Sequence, residues 1–504
     1  MIENSKIKVS VIVPPVVVHN LDPHTGIPFL PHMAAYLTSS INSYGYDVNV
    51  IDCFGEDSHN RNLYNEFMVL GLDENQTVNK LDESVKVCFV YCKVIEDLFA
   101  VEKIVKKIKE KRPEIKVCLF ENIQTTNSFS LKKIVDYLFK NGCDMTIFGE
   151  PERRVDEIIK CLLDNKDLSH IPDIAFLKNG KVKINDKEKF DDDLDNLPFP
   201  LWEKFNMEGY WKIGFAHAPV KKNKKFLPLL SSRGCPYRCK FCVSPTLNPH
   251  WRKRSPKNVV DEMQHLHENL DIVDFHFSDL DPTVNEKRIV EMCNEIISRN
   301  LKFEWKLAQG TKMETIKNES TMKLMQKAGL TFFSFSPESG SKELMKKLNK
   351  PFDYDHALKM TSCLNRLNIK TQACFIAGTP PETDKDRKES LDYVRKLIKS
   401  GLDEIAVFIY SPIPGSYFAD QIGGFKHYSQ LTRSPTWRED YKKINSFRIK
   451  MYLTFFFYKI IYSPGKICKE FCRIISRNFS TKMEMALYKF FKLRLMHKIP
   501  NLFK

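Results

Sequence analysis

Two stretches of the sequence alternate short apolar runs with segments of helical periodicity, and this alternation constrains the fold more than any other feature. In the first stretch, residues 7–160, the apolar runs predict buried strands and the segments between them predict helices. Strand–helix–strand units at this spacing form parallel sheets, so we predict a doubly wound sheet. The predicted strands are Val9–Val13, Val48–Ile51, Val87–Tyr91, Val117–Phe120 and Met145–Phe148, and the predicted helices are Met33–Ser43, Ile95–Lys109 and Leu131–Asn141.

The second stretch, residues 226–425, repeats the pattern six times. Six successive β/α units indicate a partial barrel, in which chemistry takes place at the carboxyl ends of the strands. The predicted strands are Leu227–Ser231, Ile272–Phe277, Phe303–Leu307, Thr331–Phe335, Thr371–Ile376 and Ile405–Tyr410. The predicted helices are Val259–Glu268, Glu286–Arg299, Thr321–Ala328, Ser341–Leu348, Asp355–Leu367 and Asp384–Lys399.

These patterns predict an α/β protein of four parts. Residues 1–165 form a Rossmann-like domain, 166–225 a linker, 226–425 a partial TIM-like barrel, and 426–504 a basic, aromatic, helical tail. The linker is inferred from turn residues, from the acidic run at 191–193 and from prolines at 198 and 200.

Composition narrows the class of protein. A hydrophobic content of 42% and a charged content of 28% are typical of a globular protein. We find no signal peptide and no apolar run long enough to span a membrane, and therefore expect a cytoplasmic protein. In such a compartment the fourteen cysteines, which form no disulfide framework, are expected to stay reduced. Clustered cysteines then bind metal more often than they pair.

The net charge of +15 is concentrated in the tail. Residues 441–504 contain fifteen Lys and Arg residues and two Glu residues, a net charge of +13. Lysines interleaved with Phe, Tyr, Ile and Leu favour an amphipathic surface that lies on anionic lipid. The alternative is a helical cap that packs its aromatic side chains on the barrel. Binding of single-stranded RNA is a third interpretation, since stacking and positive charge suit it as well.

A cysteine motif follows the first predicted barrel strand. Cys235, Cys239 and Cys242 have the spacing Cys-x3-Cys-x2-Cys, and Gly234 and Pro236 permit a tight loop. Thiolates select iron–sulfur clusters or zinc. A closed zinc site would need a fourth ligand, for which His250 is the near candidate. Three ligands for four irons leave one iron open to bind substrate, and we therefore favour a 4Fe–4S cluster.

The cysteine loop, with Phe241 before its last cysteine, resembles the signature of the radical S-adenosylmethionine (SAM) superfamily. The resemblance implies that the open iron chelates SAM and that one electron from the cluster cleaves SAM to a 5′-deoxyadenosyl radical. It implies an electron donor such as ferredoxin or flavodoxin as a partner. Residues from about 7 to 425 resemble one branch, whose members carry an N-terminal cobalamin-binding-type domain.

Three further residues are assigned to SAM binding by the resemblance. Asp279 matches an acidic strand end that contacts the SAM amino group, although the usual second acid is Leu280 here and Asp281 follows it. Glu338 and Ser339 match a Glu-Ser-Gly motif near the SAM ribose. A carboxylate suits an ammonium group, but Asp279 and Glu338 could instead cap helices.

The N-terminal domain resembles the cobalamin-binding module, with two departures. The Gly-Gly expected after the fourth strand is replaced by Glu121-Asn122, whose side chains are expected to crowd the nucleotide tail. The cobalt-ligating histidine motif is only approximated, by Asp22-Pro23-His24-Thr25-Gly26, which is one residue short. We therefore expect cobalamin as a further cofactor, bound without a histidine ligand, and keep a purely structural or substrate-binding domain as the alternative.

The sequence thus predicts a radical SAM enzyme that methylates an unactivated carbon or makes another C–C or ring-forming modification. The basic tail favours a lipid-like substrate and a peripheral position on the inner face of a membrane. One alternative is a radical SAM RNA-modifying enzyme of the methylthiotransferase type, although we see neither the extra N-terminal cysteines nor the β-rich RNA domain of that class and do not expect nucleic acid. The other is a non-enzymatic zinc-binding scaffold.

Overall fold

The computed structural model describes residues 7–19, 22, 25–125, 128–186 and 190–498, with the side chains of 493–498 left out. The N-terminal half contains ten strands and seven helices. The strands are β1 Lys8–Val13, β2 Val16–His19, β3 Asp47–Asp52, β4 Arg61–Leu63, β5 Phe67–Leu70, β6 Val87–Cys92, β7 Lys116–Glu121, β8 Met145–Ile147, β9 Ile174–Lys178 and β10 Lys181–Asn185. The helices are α1 His32–Ser43, α2 Cys53–Glu56, α3 Glu74–Asn79, α4 Leu98–Lys111, α5 Val135–Lys140, α6 Val155–Leu163 and α7 Met207–Lys212.

Seven of these strands form one sheet, in the order β10-β9-β8-β7-β6-β1-β3. Strands β3, β1, β6, β7 and β8 are parallel, and β9 and β10 extend the sheet antiparallel. All six residues of β6 are buried, as expected of a strand covered by helices on both faces. Strand order reverses between β1 and β6, so a ligand crevice is expected at their carboxyl ends. The predicted Rossmann-like domain is confirmed.

The second half contains eight strands and seven helices before the tail. The strands are β11 Phe226–Leu229, β12 Ser232–Arg233, β13 Arg252–Lys253, β14 Asp274–Phe277, β15 Glu304–Thr311, β16 Leu330–Glu338, β17 Lys370–Ala377 and β18 Glu404–Ile409. The helices are α8 Ser244–Leu247, α9 Pro256–Leu270, α10 Glu286–Ser298, α11 Glu319–Lys327, α12 Lys342–Lys347, α13 Tyr354–Arg366 and α14 Asp384–Lys399.

Six of these strands form an all-parallel sheet in the order β11-β14-β15-β16-β17-β18, and β12 pairs with β13 as a short antiparallel ribbon. Each predicted barrel strand overlaps one of the six, and the neighbours in the sheet follow one another in the chain. The α/β fold class, with a Rossmann-like domain and a partial barrel, is therefore confirmed.

The segment predicted as a linker, 166–225, is part of the packed structure. It supplies β9 and β10 to the N-terminal sheet, so this sheet continues past residue 165. Trp202 and Tyr210 are fully buried, and the Tyr210 hydroxyl donates to Asp52 Oδ1 at 2.9 Å. The prolines and charges that suggest a linker lie in the turns between these elements. A separate three-stranded sheet, β2-β5-β4, was not predicted.

The tail is helical, as predicted, and consists of α15 Tyr441–Tyr462, α16 Pro464–Ser476 and α17 Lys482–Lys498. One face of α15 packs on the barrel and buries Met451, Phe455 and Lys459. The Lys459 ammonium is held there by Glu470 Oε1 at 2.6 Å. The opposite face exposes apolar side chains such as Leu453 and Phe457 to solvent. The cap interpretation therefore describes the packed face, and membrane contact of the exposed face stays a prediction. No helix within the described ranges has both the length and the apolar composition needed to cross a membrane.

Candidate active site

The three cysteines lie on one loop between β12 and α8, at the carboxyl end of β11, and all three are half-exposed. Gly234 opens this loop with a φ of +83°, and a Cβ atom there would lie 2.0 Å from the carbonyl oxygen of His250. No other residue fits that position without moving the backbone. The cysteine loop is therefore shaped by a close backbone approach that only glycine permits.

Burial disfavours thiolates in the cysteine loop, whereas two neighbouring groups favour them. Burial raises the pKa of the Cys239 thiol to about 12, with a further increase from Cys242, while the Lys350 ammonium opposes both effects. The backbone N–H of Ser244 donates to Cys242 Sγ at 3.4 Å. Thiols must lose their protons to bind iron, so metal binding here would release protons from the three cysteines. The Ser244 N–H and the Lys350 ammonium would then stabilise the resulting negative charge.

The donor groups around the cysteine loop bear on the choice between a cluster and a single metal ion. Among the described residues no group of three His, Cys, Asp or Glu side chains converges closely enough to hold one metal ion. Cysteines that hold an iron–sulfur cluster bind separate iron atoms, so their sulfur atoms need not converge. The His250 ring, the fourth ligand considered for zinc, is exposed and lies 5.2 Å from the ring of Phe190.

Asp279 lies below the cysteine loop. Its carboxylate is fully buried and accepts hydrogen bonds from the Ser231 backbone N–H at 3.1 Å and from the Ser231 and Ser232 hydroxyls at 2.7 and 2.6 Å. It does not cap α10, because Asn285 does so. Asp279 therefore fixes the segment that leads into the cysteine loop, whose Ser231 and Ser232 donate these hydrogen bonds.

Asp281 is the carboxylate beside the cysteine loop. Burial raises the pKa of both Cys235 and Tyr237, and the charge of Asp281 adds to this effect. Burial raises the pKa of Asp281 itself to about 6, against hydrogen bonds from Thr283. Asp281 Oδ2 accepts the backbone N–H of Lys312 at 3.4 Å, and the Lys312 ammonium lies 4.8 Å from the centroid of the Tyr237 ring on the cysteine loop. Asp281 is therefore a second candidate beside Asp279, the carboxylate that the resemblance assigns to SAM.

Glu338 lies at the end of β16 and lines the central cavity. Its backbone φ is +56°, a region that costs a non-glycine residue about 1–3 kcal/mol and that is common at functional sites. Its Oε1 accepts from Lys350 Nζ at 2.5 Å. Helix α12 is capped by Ser341 instead. Ser339 is buried and bonds Ser390 Oγ at 3.0 Å, away from the cavity.

A cavity of about 550 Å³ lies next to the cysteine loop. Phe241 and Cys242 border it on the loop, and the strands β15 to β18 contribute further walls. Ile27 and Glu96 reach it from the N-terminal domain. Most of the lining is apolar, which suits a substrate with a hydrocarbon body. Sequence reasoning missed that helices α15 and α17 also line this cavity, through residues that include Tyr452, Phe456, Lys482, Met485 and Lys489.

Buried ion pairs join the N-terminal domain to the base of the cysteine loop. Arg233 Nη2 lies 2.7 Å from Glu152 Oε1, and Arg252 Nη1 lies 2.8 Å from Glu150 Oε2. The two arginines flank the three cysteines in the chain, and the two glutamates follow β8. The domains are therefore coupled at the cysteine loop itself.

The carboxyl end of β7 tests whether cobalamin fits. Glu121 accepts from the backbone N–H of Leu131 at 3.0 Å and of Gly149 at 2.8 Å. Asn122 Nδ2 donates to Lys93 O at 3.0 Å. Glu121 thus takes two backbone donors that a bound ligand could use, and crowding of a nucleotide tail by Glu121-Asn122 stays a prediction. His24 lies outside the described residues.

Beside this point, a polar side chain remains without partners. Both the Oε1 and Nε2 atoms of Gln124 are buried and have no hydrogen-bond partner among the described residues. Unpaired buried polar groups are costly, so Gln124 indicates that a polar ligand or water belongs in this crevice. The crevice therefore combines a site for polar contacts with a side chain, Glu121, that restricts its size.

The sequence is similar to a known protein family and to known methyltransferases. Residues 229–394 match the protein family described as the radical SAM superfamily. The chain is 24% identical over 384 residues to the uncharacterized methyltransferase PH0819 of Pyrococcus horikoshii, covering 76% of each chain. It is 25% identical over 436 residues to the cytidylyl-2-hydroxyethylphosphonate methyltransferase of Streptomyces wedmorensis, covering 76% of this chain and 75% of that one.

The fold is also similar to a solved structure. The radical SAM methyltransferase TsrM from Kitasatospora setae, with cobalamin and a [4Fe-4S] cluster bound, superposes with a TM-score of 0.63 at 15% identity. The match covers 82% of this chain and 77% of that one. It therefore includes both the N-terminal sheet and the barrel.

Proposed function

This chain belongs to the radical SAM superfamily and has the fold of its members with an N-terminal cobalamin-binding-type domain, and from that premise we propose that it methylates an unactivated carbon of an apolar substrate. Cys235, Cys239 and Cys242 would hold a 4Fe–4S cluster, which when bound supplies the electron that cleaves SAM. The observation that carries the proposal is the position of the cysteine loop against the 550 Å³ apolar cavity. The relatives include methyltransferases, which support methylation, and cyclases, which keep ring formation as the alternative.

The protein's own residues would position the reactants. Glu338 faces the cavity beside Lys350, where it can accept a hydrogen bond from a sugar hydroxyl or an ammonium group. Asp279 holds the Ser231–Ser232 backbone from which the cysteine loop starts. The apolar walls exclude water, which protects a radical from side reactions.

A test of the substrate and the reaction compares the metabolites and lipids of a strain that lacks this protein with those of its parent. The proposal predicts that the deletion strain accumulates an apolar compound that is one methyl group lighter than a product found only in the parent. Loss of a modified nucleoside from RNA, with no change among lipids, would instead favour the RNA-modifying alternative.

Glu338 and Asp279 are expected to differ in what their substitution does. Glu338→Gln should leave the iron content unchanged and weaken SAM binding at least about tenfold, because charge-assisted hydrogen bonds to a carboxylate are the stronger kind. Asp279→Asn should lower the melting temperature and the iron content first, because it replaces an acceptor shared by several donors. Equilibrium binding of SAM and iron analysis on the same preparations separate the two effects. Unchanged SAM affinity in Glu338→Gln would exclude that contact.

Cobalamin is proposed as the methyl carrier, bound weakly and without a histidine ligand. Glu121→Gly should strengthen cobalamin binding, because it restores the glycine of the family pattern and frees the N–H groups of Leu131 and Gly149. Titration of the protein with cobalamin, followed by its visible absorption, measures this effect. Glu114→Gly, which changes an exposed acid in the turn before the same strand, is the matched control. Equal affinity of the wild type and Glu121→Gly would show that the crevice is not the binding site.

Attachment to an anionic membrane surface is proposed for the outer face of the tail. Its exposed apolar side chains are large: Leu453 is 65% exposed, Phe457 60%, Phe471 65% and Ile475 69%. Contiguous apolar surface of this kind marks an interaction site. Lysines near a lipid surface add about 1 kcal/mol each. Phe456 and Leu487 line the cavity and are also exposed, so the cavity opens on this same face.

The membrane proposal predicts that the double substitution Leu453→Glu with Phe457→Glu weakens binding to anionic vesicles at least about tenfold at low salt. The matched control replaces Leu63 and Leu177, which are 68% and 51% exposed in the N-terminal half, with Glu. Vesicle sedimentation provides the measurement. If the wild type ignores anionic vesicles, or if both double variants bind equally, the tail surface does not contact membranes.

A further inference from the structure

Strand β15 bulges where it borders the cavity. The paired positions on the two sides of the bulge are Leu307 with Phe333 and Thr311 with Phe335. Three residues of β15, 308–310, therefore lie opposite a single residue of β16. Bulges are frequent next to active sites, where they redirect a side chain. This bulge is thus a place where a side chain of β15 can be turned toward a bound molecule.

The two strands themselves hold the bulge in shape. Gly310 has a φ of +85°, and a Cβ atom there would lie 2.3 Å from Ser336 Oγ, so the position suits only glycine. Directly after it, Thr311 Oγ1 donates to the carbonyl oxygen of Ser334 at 2.9 Å and ties β15 back to β16. The conformation of the bulge therefore follows from the fold and does not depend on a ligand.

Gln309, the middle residue of the bulge, lines the cavity. Its side-chain oxygen, Oε1, is buried and has no hydrogen-bond partner in the part of the chain that the structure describes. A buried acceptor without a partner costs free energy, and such atoms are few in folded proteins. The Gln309 amide is therefore poised to accept a hydrogen bond from a molecule bound in the cavity.

The neighbouring strand also departs from regular pairing at the cavity. Ser336 and Pro337 of β16 lie opposite one residue of β17, and proline, which has no N–H to donate, suits such a bulge. Ser336 lines the cavity, and its hydroxyl lies over Gly310, the residue after Gln309. Gln309 and Ser336 are therefore neighbours on adjacent strands, and we name these two residues the polar pair.

Contacts along the cavity wall connect the polar pair to the cysteine loop. Glu338, two residues after Ser336, also lines the cavity, and its Oε1 accepts from Lys350 Nζ at 2.5 Å. The same ammonium lies 5.8 Å from the centroid of the Phe241 ring. Phe241 and Cys242 border the cavity on the cysteine loop. A molecule held by the polar pair would therefore share its cavity with the loop.

We propose that Gln309 and Ser336 orient the substrate by accepting a hydrogen bond from it, so that the substrate is an apolar molecule that carries a hydroxyl or N–H group. In a mostly apolar cavity, a few precisely placed polar groups fix the orientation of a ligand. Here they would decide which carbon of the hydrocarbon body faces the cysteine loop. This inference rests on the proposed function, whose apolar substrate it specifies as a hydrogen-bond donor.

The experiment measures binding of a fluorescent polyene alcohol and of its methyl ether to the anaerobically reconstituted protein without SAM. The ether keeps the hydrocarbon body and the oxygen but has no O–H to donate. We expect the alcohol to bind about fivefold to tenfold more tightly, because the ether leaves a buried acceptor without a partner. Gln309→Met, which is similar in size but lacks the amide, should remove most of this preference and leave the ether affinity unchanged. Gln326→Met, at an exposed glutamine of α11, is the matched control and should change neither.

Equal binding of alcohol and ether to the wild type, or equal weakening of both in Gln309→Met, would overturn the proposal. A loss of SAM affinity in Gln309→Met with an unchanged preference for the alcohol would assign Gln309 to SAM and would also overturn it. Binding of neither probe would reject the apolar substrate of the proposed function and this inference with it. Ser336→Ala, which should reduce the preference as well, repeats the test if Gln309→Met does not fold, as judged by its circular dichroism.

Discussion

We expect that replacing Cys235, Cys239 or Cys242 with Ala abolishes both cluster binding and reductive cleavage of SAM. Three ligands leave no redundancy, because each thiolate would bind a different iron atom. The expected result for each single variant is loss of stoichiometric iron and of 5′-deoxyadenosine formation. Iron analysis and chromatography of the reaction products after chemical reduction measure both quantities.

The control for this prediction is Cys472→Ala, at an exposed cysteine of α16. It should keep the iron content and the reaction of the wild type. Formation of 5′-deoxyadenosine at the wild-type rate by any one of the three loop variants would remove that cysteine from the site. Loss of iron from Cys472→Ala would mean that the tail takes part in metal binding.

The second large effect is expected from ending the chain at Asp440. Removing the tail would expose the apolar side chains of the barrel that pack against Phe455, on the side of β18. It would also remove the Tyr452 hydroxyl, which accepts a hydrogen bond from the Val407 N–H at 3.1 Å. It would also remove the backbone donors of Lys482 and Met483 from the buried Glu404 carboxyl. Because folded domains are stable by only about 5–15 kcal/mol, we expect the shortened chain not to unfold cooperatively.

Thermal unfolding followed by circular dichroism tests this expectation. A chain ending at Lys498 lacks only the last six residues and is the control, which should unfold like the full-length protein. A cooperative transition at an unchanged temperature in the chain ending at Asp440 would show that α15 to α17 are an independent attachment and not a wall of the cavity.

Strand positions were predictable where burial is uniform. β6 is apolar and buried along its whole length, as expected of a strand covered by helices on both faces, and such a run is a local signal. The barrel strands were predicted from shorter apolar runs, although polar residues such as Asp274, Lys306 and Gln372 interrupt them. The small sheet β2-β5-β4 was missed because β4, Arg61–Leu63, is short, polar and half-exposed. The linker prediction missed the edge strand β10 because Lys181 and Lys183 give it a polar composition, and it overlooked β9, whose first four residues, 174–177, are apolar.

The candidate site also contains both features that a short segment of sequence predicts and contacts that it does not. The spacing of the cysteines and the glycine at position 234 are both visible within one short segment of the sequence. The partners of Glu121 lie 10 and 28 residues away, and Lys482 contacts a carbonyl group 174 residues away. Such contacts exist only after the chain has folded. Apolar residues occur on all sides of α15, so periodicity could not separate its packed face from its exposed one.

The central claim is that the cysteine loop holds a redox-active cluster that cleaves SAM. Anaerobic reconstitution of the wild-type protein with iron and sulfide, followed by reduction in the presence of SAM, tests it most directly. The account predicts about four iron atoms per chain and formation of 5′-deoxyadenosine that depends on the reductant. One zinc ion per chain, no retained iron and intact SAM after reduction would contradict it and would leave a zinc-binding scaffold.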